Sequence, residues 1–229
     1  TVKAIDGTSS SVTVTINGTN DAAVISGTST ATLTESNIAQ SASGTLSASD
    51  VDSAATFAAQ TNVAGTNSYG KFTIDAAGQW TYTMDSAHNE FKAGQAYTDS
   101  VTVATADGTT QVITVTMNGT NDAAVISGTS TATLTESNIA QSASGTLAAT
   151  DVDSATSFVA QTNVAGTNGY GKFTIDAAGQ WTYTMDSAHN EFKAGQSYTD
   201  SVTVATADGT TQVITVTMNG TNDAAVISG

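Results

Sequence analysis

The chain is 229 residues long, with 20 carboxylates against five lysines and no arginine, a formal net charge of −15 at pH 7. Nucleic acid and anionic membranes are held by clustered cations, so this balance excludes both as partners. There is no cysteine for a disulfide framework or a thiolate metal site, and no apolar run approaches the ~20 residues that insert into a bilayer.

An internal repeat organises what remains. Asn-Gly-Thr-Asn-Asp followed by Ala-Ala-Val-Ile begins at Asn17, Asn118 and Asn219, a step of 101 residues. Residues 17–117 and 118–218 align without a gap and differ at seven places: 47/148, 49/150, 55/156, 56/157, 58/159, 68/169 and 96/197. A unit of ~100 residues can own a hydrophobic core, whereas solenoid periods run ~20–50 residues. The expected organisation is a terminal hairpin of a preceding repeat (1–16), a linker (17–21), a first repeat (22–117), a linker (118–122), a second repeat (123–218) and the start of a further linker and repeat (219–229).

Thr1-Val2 matches Thr102-Val103, Asp6-Gly7-Thr8 matches Asp107-Gly108-Thr109, and Val12–Thr15 matches Ile113–Thr116. This predicts two strands around an Asp-Gly turn, read as a cut boundary or as a hairpin that pairs with another chain. Within the repeat, threonine and valine dominate and alternation of period two replaces any helical period. Seven strands are expected: Ala23–Thr34 with a break at Gly27, Gly44–Ser49, Phe57–Thr61, Tyr69–Asp75, Trp80–Asp85, Thr98–Ala106 and Gln111–Met117. Ser86–Gly94 is the one candidate for a helical turn. Alternation puts Phe72, Ile74, Trp80, Tyr82, Met84, Val101, Val103, Ile113, Val115 and Met117 on buried faces, with Leu46, Phe57, Phe91 and Tyr97 completing a core. Tyr97 precedes the sixth strand, where immunoglobulin-like sandwiches place a tyrosine that bonds back to the chain. Without proline, charged and small residues must guard the edge strands.

Strand alternation also predicts where the acids go. Asp50, Asp52, Asp75 and Asp107 fall at the pole where Asn17, Asn20 and Asp21 enter, and Glu35, Asp85, His88 and Glu90 at the other. The second joint therefore gathers Glu35, Asn118, Asn121, Asp122, Asp151, Asp153 and Asp208. Such crowded carboxylates repel one another unless a hard cation joins them, and Ca²⁺, with 6–8 oxygen ligands and tolerant geometry, suits the set better than Mg²⁺.

At these residues the chain resembles the VCBS repeat, through Gly44-Thr-Leu-Ser-Ala-Ser-Asp-Val-Asp52, Tyr69-Gly-Lys-Phe-Thr-Ile-Asp75, Gly78-Gln-Trp-Thr-Tyr-Thr-Met-Asp85, Tyr97-Thr-Asp-Ser-Val101 and Asn118-Gly-Thr-Asn-Asp122. The resemblance spans nearly the whole repeat. It implies tandem immunoglobulin-like or cadherin-like β-sandwiches in an extended rod, found as extender regions of secreted and surface bacterial proteins, including RTX-type adhesins of biofilms. Its partners are then adjacent repeats of the same polypeptide and other adhesin chains, and its location extracellular. The joint is also similar to the cadherin linker Asp-x-Asn-Asp-Asn-Ala-Pro, with Asn118, Asn121, Asp122 and Ala124 in matching places; it departs in having Asn118 where cadherins favour Asp, Ala123 for Asn and Val125 for Pro. By that resemblance Glu35, Asp151 and Asp153 map to calcium ligands, whereas Asp208 rests on strand geography alone.

Catalysis is not expected. His88 and His189 lack identifiable partners for zinc or acid–base work, there is no Gly-x-Ser-x-Gly elbow, and paired carboxylates without an aromatic-lined cleft do not suggest a glycosidase. Lys71 and Lys92 lack a case for isopeptide crosslinks, and the Asn-Gly-Thr acceptor pattern carries no weight in a bacterial chain. Three readings stay open: a calcium-stiffened extender, a glycan- or protein-binding module with Trp80 and Tyr82 exposed in a groove, and a filament subunit assembled by strand exchange through residues 1–16.

Overall fold

A computed structural model describes residues 1–225 and 227, and the described residues hold strands and no helix. β1 (Val2–Lys3) and β2 (Ser9–Ser10) form a short antiparallel pair. The strand expected at Val12–Thr15 does not form. Val12, Val14 and Ile16 are exposed, whereas their sequence counterparts Ile113, Val115 and Met117 are fully buried. An apolar alternation becomes a strand only when neighbours cover one of its faces.

The first repeat contains β3 (Val24–Gly27), β4 (Thr30–Thr34), β5 (Ser41–Ser49), β6 (Gln60–Ala64), β7 (Gly70–Ile74), β8 (Gln79–Met84), β9 (Ala96–Ala104) and β10 (Thr110–Asn118). The second repeats them as β11 (Val125–Gly128), β12 (Thr131–Thr135), β13 (Ser142–Thr150), β14 (Gln161–Ala165), β15 (Gly171–Ile175), β16 (Gln180–Met185), β17 (Ser197–Ala205) and β18 (Thr211–Asn219). Each repeat has a five-stranded sheet, ordered β3-β5-β8-β7-β6 or β11-β13-β16-β15-β14, and a three-stranded sheet, β4-β10-β9 or β12-β18-β17. Counting β3 and β4 as one broken strand gives the expected seven. The break follows Gly27, at φ +101°, where an added Cβ would lie 2.4 Å from the Thr45 carbonyl oxygen. Up-and-down alternation makes the first and seventh strands parallel, and β12 does run parallel to β18, with Thr131 opposite Thr215.

Two local expectations are corrected. Phe57 makes only an isolated bridge to Thr105, and the strand proper starts at Gln60. A bulge at Asn62 (φ +53°), whose N–H donates to Thr73 Oγ1 at 3.1 Å, shifts its register. Ser86–Gly94 is not helical. It makes two tight turns, Phe91 N to His88 O and Gln95 N to Lys92 O, because His88 (φ +57°) and Gly94 (φ +75°) are left-handed.

The core follows the alternation. Leu147, Phe158, Phe173, Ile175, Trp181, Tyr183, Met185, Phe192, Val202, Val204, Ile214, Val216 and Met218 form one buried cluster, each large side chain worth about 1.5–3 kcal/mol. Their counterparts in the first repeat are buried too. Trp80 donates its indole N–H to the Thr28 carbonyl at 2.7 Å. Tyr198 is half-buried, and its hydroxyl accepts from the Lys193 N–H at 3.2 Å, so it does bond back to the chain.

Edge protection comes from a device that composition did not suggest. Along the free side of β9, the carbonyls of Thr98, Ser100, Thr102 and Ala104 accept in turn from Asn67 Nδ2 (2.7 Å), Thr66 N (2.9 Å), Gln60 Nε2 (3.1 Å) and Ala58 N (2.8 Å). β17 is capped identically by Asn168, Thr167, Gln161 and Val159. Two side-chain amides thus complete a ladder that two main-chain amides begin, leaving that edge unable to recruit a further strand.

Asp200 organises the facing loop from inside. It is fully buried, and its carboxylate accepts from the amides of Asn168 (2.9 Å), Tyr170 (3.1 Å), Gly171 (3.1 Å) and Ser201 (3.2 Å) and from the Tyr183 hydroxyl (3.3 Å). Asp99 does the same in the first repeat. The cage of N–H dipoles takes the place of a countercation.

The chain forms two compact units, Thr1–Leu33 with Ile38–Ala87 and Tyr97–Met117, and Thr34–Asn37 with His88–Ala96 and Asn118–Gly229. The second unit therefore includes two short segments that belong by sequence to the first repeat. Asp200→Ala strands five donors, of which the Gly171 amide and the Tyr183 hydroxyl are buried and the other three part-buried. A buried donor left without a partner costs ~1–3 kcal/mol, against a domain stability of ~5–15 kcal/mol. Calorimetry of this variant should show the second sandwich unfolded or lowered by at least ~2 kcal/mol; a smaller shift overturns the anchoring role.

Candidate metal centre

The centre is built on the Asp-Val-Asp loop after β13. Asp151 Oδ1 accepts from the amides of Asp153 (2.9 Å) and Ser154 (2.7 Å), a side-chain turn that fixes the loop. Its Oδ2 is left buried without a partner. Asp153 is only 5 % exposed, and neither of its carboxylate oxygens has a hydrogen-bond partner. The backbone of Asp122 and of Ala93 acts the other way, favouring its charge. Burial, then the neighbouring Asp151, raises its pKa above the ordinary carboxylate value.

The joint lies across this loop, within the same compact unit. Asn118 closes β10, and its carbonyl accepts from the Glu35 amide at 2.8 Å. Glu35, 2 % exposed, takes hydrogen bonds from the Thr120 amide (3.2 Å) and the Thr120 hydroxyl on Oε2, which leaves Oε1 buried and unpartnered. Asn121 Oδ1 accepts from the Ser154 hydroxyl at 3.2 Å, tying joint to loop. Asp122 Oδ2 is buried and unpartnered, and its pKa is raised by burial and then by Glu35, Asp153 and Asp151. Gly119 is required: a Cβ there would sit 2.3 Å from the Phe91 carbonyl oxygen and 2.4 Å from that of Lys92.

Asp208 behaves differently. The Thr206 hydroxyl and the Thr210 amide hold its Oδ1, while the Thr210 hydroxyl (2.6 Å) and the Ala124 amide (3.0 Å) hold its Oδ2. These hydrogen bonds, Thr206 first, keep its carboxyl well below the usual range. It clamps the chain leaving the joint. Sequence reasoning also missed Asn89. Its Nδ2 donates to Asn37 Oδ1 at 3.5 Å and its Oδ1 is a buried orphan. The available signal was its place beside Glu90 at the pole already assigned to Glu35.

Six buried, unpartnered oxygens therefore belong to this unit's joint: Glu35 Oε1, Asn89 Oδ1, Asp122 Oδ2, Asp151 Oδ2 and both of Asp153. Native structures tolerate few such atoms, and a bound ion is a standard reason for them. No three described His, Asp or Glu side chains close on a single point as they stand. The donors are all hard oxygens, four carboxylates among them, which fits Ca²⁺.

The other joints carry the same scaffold with fewer orphans. Asp50 Oδ1 accepts from Asp52 N (3.0 Å) and Ser53 N (2.8 Å), Asp21 N donates to Asp52 Oδ2 (3.2 Å), Ser53 Oγ to Asn20 Oδ1 (3.0 Å), and Ala23 N to Asp107 (2.9 Å). Only Asp50 Oδ2 is a buried orphan there, and Asn17 is exposed, away from these contacts. At the last joint Glu136 accepts from the Thr221 amide at 3.1 Å, with Oε1 orphaned.

His189 is more than a surface-loop residue. Its Nδ1 meets Glu191 at 2.6 Å, and its Nε2 meets Asp186 at 2.8 Å and the Tyr170 carbonyl at 3.0 Å, while the ring stacks on Phe192. Burial pulls its pKa down, but Glu191, Tyr170 and Asp186 outweigh that and the net shift is upward. It braces the turn whose carbonyls of Phe192 and Lys193 pack against Gly220.

Comparison with curated proteins finds no match. Among solved structures the chain is similar to PcdhgB3 EC1-4 (16% identity, TM-score 0.48, 88% of this chain and 50% of that one) and to protocadherin gammaB7 EC3-6 (14%, 0.49, 89% and 48%). It thus spans about half the length of each. The family model described as bacterial cadherin-like domain matches residues 20–119 and 121–220. With nearly its whole length matched twice in tandem, the chain belongs to the bacterial cadherin-like domain family.

Proposed function

We propose that these repeats are extender modules of a large bacterial surface or secreted adhesin, stiffened by Ca²⁺ at their joints and serving adhesion or biofilm formation outside the cell. The observation that carries this reading is the set of six buried oxygens without partners around Asn118–Asp122. Glu35, Asn89, Asp122, Asp151 and Asp153 would hold the ion, with Asn118 and Asn121 supplying amide or main-chain oxygens. Asp208 would keep the ligand-bearing chain in place rather than bind. The homologous first joint would draw on Asn17, Asn20, Asp21, Asp50 and Asp52, with Asp107 as its clamp. The similarity of the repeat motifs to VCBS repeats supports the adhesin assignment.

Two observations weigh against the competing readings. A groove recognising glycan would need Trp80 and Tyr82 at the surface, and both are buried to within 1 %. Strand exchange onto β9 or β17 meets an edge already capped by amides. No enzymatic role is proposed.

Calcium at about 100 times its dissociation constant should add ~2.7 kcal/mol to the stability of the chain. It should also narrow the range of shapes seen by small-angle scattering, and EDTA should reverse both. Unchanged melting and scattering in calcium and in EDTA overturn the proposal.

Asp153→Asn should reverse sign with metal. Its raised pKa means that the charged form destabilises the cation-free fold, so the variant should melt higher than the parent in EDTA and lower in calcium. A lower melting point in both conditions removes Asp153 from the ligand set.

In EDTA the pH profile has two limbs. Asp122 and Asp153, raised, add stability as pH falls through their folded values, an advantage lost again as pH rises. Asp107 and Asp208, depressed, contribute stability above about pH 4 that disappears as pH falls further. Stability without metal should peak at mildly acidic pH, and calcium should move the peak toward neutrality. A metal-free profile that falls steadily from neutral pH contradicts the raised pair.

A further inference from the structure

The strand that opens a repeat and the strand that closes it are hydrogen-bonded to each other. β12 and β18 run parallel over five pairs, from Thr131 opposite Thr215 to Thr135 opposite Asn219. Main-chain bonds lengthen this ladder at both ends. The Thr215 N–H donates to the Ser130 carbonyl at 2.9 Å, and the Glu136 N–H to the Asn219 carbonyl at 2.8 Å. At the outgoing end the Thr221 amide (3.1 Å) and hydroxyl also bond Glu136 Oε2. The first repeat has the same terminal bonds, Thr114 N to Ser29 O at 2.9 Å and Glu35 N to Asn118 O at 2.8 Å.

Parallel order decides how such a ladder meets tension. The chain enters β12 at its amino-terminal end and leaves β18 at its carboxy-terminal end. In parallel strands these lie at opposite ends of the ladder. A pull along the chain therefore slides the two strands past each other and strains every rung at once. An antiparallel pair pulled apart at one end opens rung by rung, with only the last bond loaded. β17 and β18, with Ser197 opposite Asn219, present that weaker geometry.

Tension reaches β12 through two earlier restraints. β11 takes it first, by four pairs with β13 in the other sheet and by the Ala124 amide on Asp208 at 3.0 Å. At the crossing between sheets, the buried Trp181 donates its indole N–H to the Thr129 carbonyl at 2.7 Å. Past that pin, no strand but β18 pairs with β12 among the described residues.

We infer that β12 and β18 form a shear clamp, pinned upstream by Trp181, that makes the repeat more resistant to tension along its own chain than to a pull that peels the same strands apart. The source of the tension rests on the extender reading proposed above. The clamp itself follows from strand order and needs no ion.

The test uses the full chain in optical tweezers, in EDTA. The sequence has no cysteine, so one introduced thiol gives a unique handle, and the carboxy-terminal end gives the other in both arms. Ala123→Cys, at an exposed position, directs the pull along the chain. Thr199→Cys, exposed and opposite Thr217, directs it so that β17 peels from β18. Forced unfolding follows the unfolding rate, so the two lifetimes at one force compare the barriers directly. The second repeat should last at least about tenfold longer under the chain-directed pull, equivalent to ~1.4 kcal/mol of barrier. Equal lifetimes, or a longer one in the peeling arm, overturn the clamp. Trp181→Phe, which loses the indole N–H, should lower the ratio of the two lifetimes, a readout that general destabilisation leaves unchanged. An unaltered ratio removes Trp181 from the load path. Both arms are free of calcium, so unchanged melting and scattering in calcium would overturn the stiffening by metal and leave the clamp standing.

Discussion

Desolvated like charge is the constraint on which the second unit's joint depends. Glu35, Asp122, Asp151 and Asp153 share one neighbourhood, and the pKa values of Asp122 and Asp153 rise because burial and neighbouring carboxylates oppose their ionisation. Everything around them is arranged to hold that charge rather than relieve it. Thr120 and the Asx-type turn of Asp151 each satisfy one oxygen of a carboxylate and leave the other bare. Gly119 lets the joint lie against the carbonyls of Phe91 and Lys92. A fold that tolerates such a cost without return would be selected against, and a hard cation is the return that this donor set can accept.

The same residue type serves a second and opposite purpose elsewhere. Asp99 and Asp200 are as buried as any side chain in the protein, yet each is caged by amide N–H groups and a tyrosine hydroxyl. Asp107 and Asp208 are saturated by threonine hydroxyls and amides. Burial alone therefore does not mark a ligand. The distinction is whether the donors around a carboxylate use up its oxygens, and by that measure the acids divide into structural anchors and unsatisfied oxygens.

That distinction also explains what the chain revealed before its fold was known. The core was legible because period-two alternation maps directly onto the faces of strands: Trp80, Tyr82 and Met84 lie where alternation puts them. The strand directions from which the acids were placed are those observed, since β12 runs parallel to β18. Hydrogen-bond saturation was not legible, so Asp208 was grouped with Asp153 although their carboxylates are opposites. Asp99 lay inside a quoted motif without a role, because only a folded loop brings four amides to one side chain. Asn89 and the non-helical turn around it depend on a left-handed His88, which no local preference announces. The strand after Phe57 shifted because a bulge at Asn62 and the capping of β9 decide its register, and both are tertiary.

Comparing the two copies shows which of these features the duplicated unit cannot vary. All seven positions at which they differ are exposed in both repeats. The core, the buried aspartates, the edge-capping side-chain amides and the joint acids are identical. Two of the changes touch local structure. Ser68 holds a left-handed backbone (φ +59°) that costs a side chain ~1 kcal/mol, and Gly169 removes that cost at the same turn. At 96/197, Ser197 gives Asn219 a hydroxyl partner that Ala96 cannot offer Asn118. The unit thus varies where it meets water and is identical where side chains are buried.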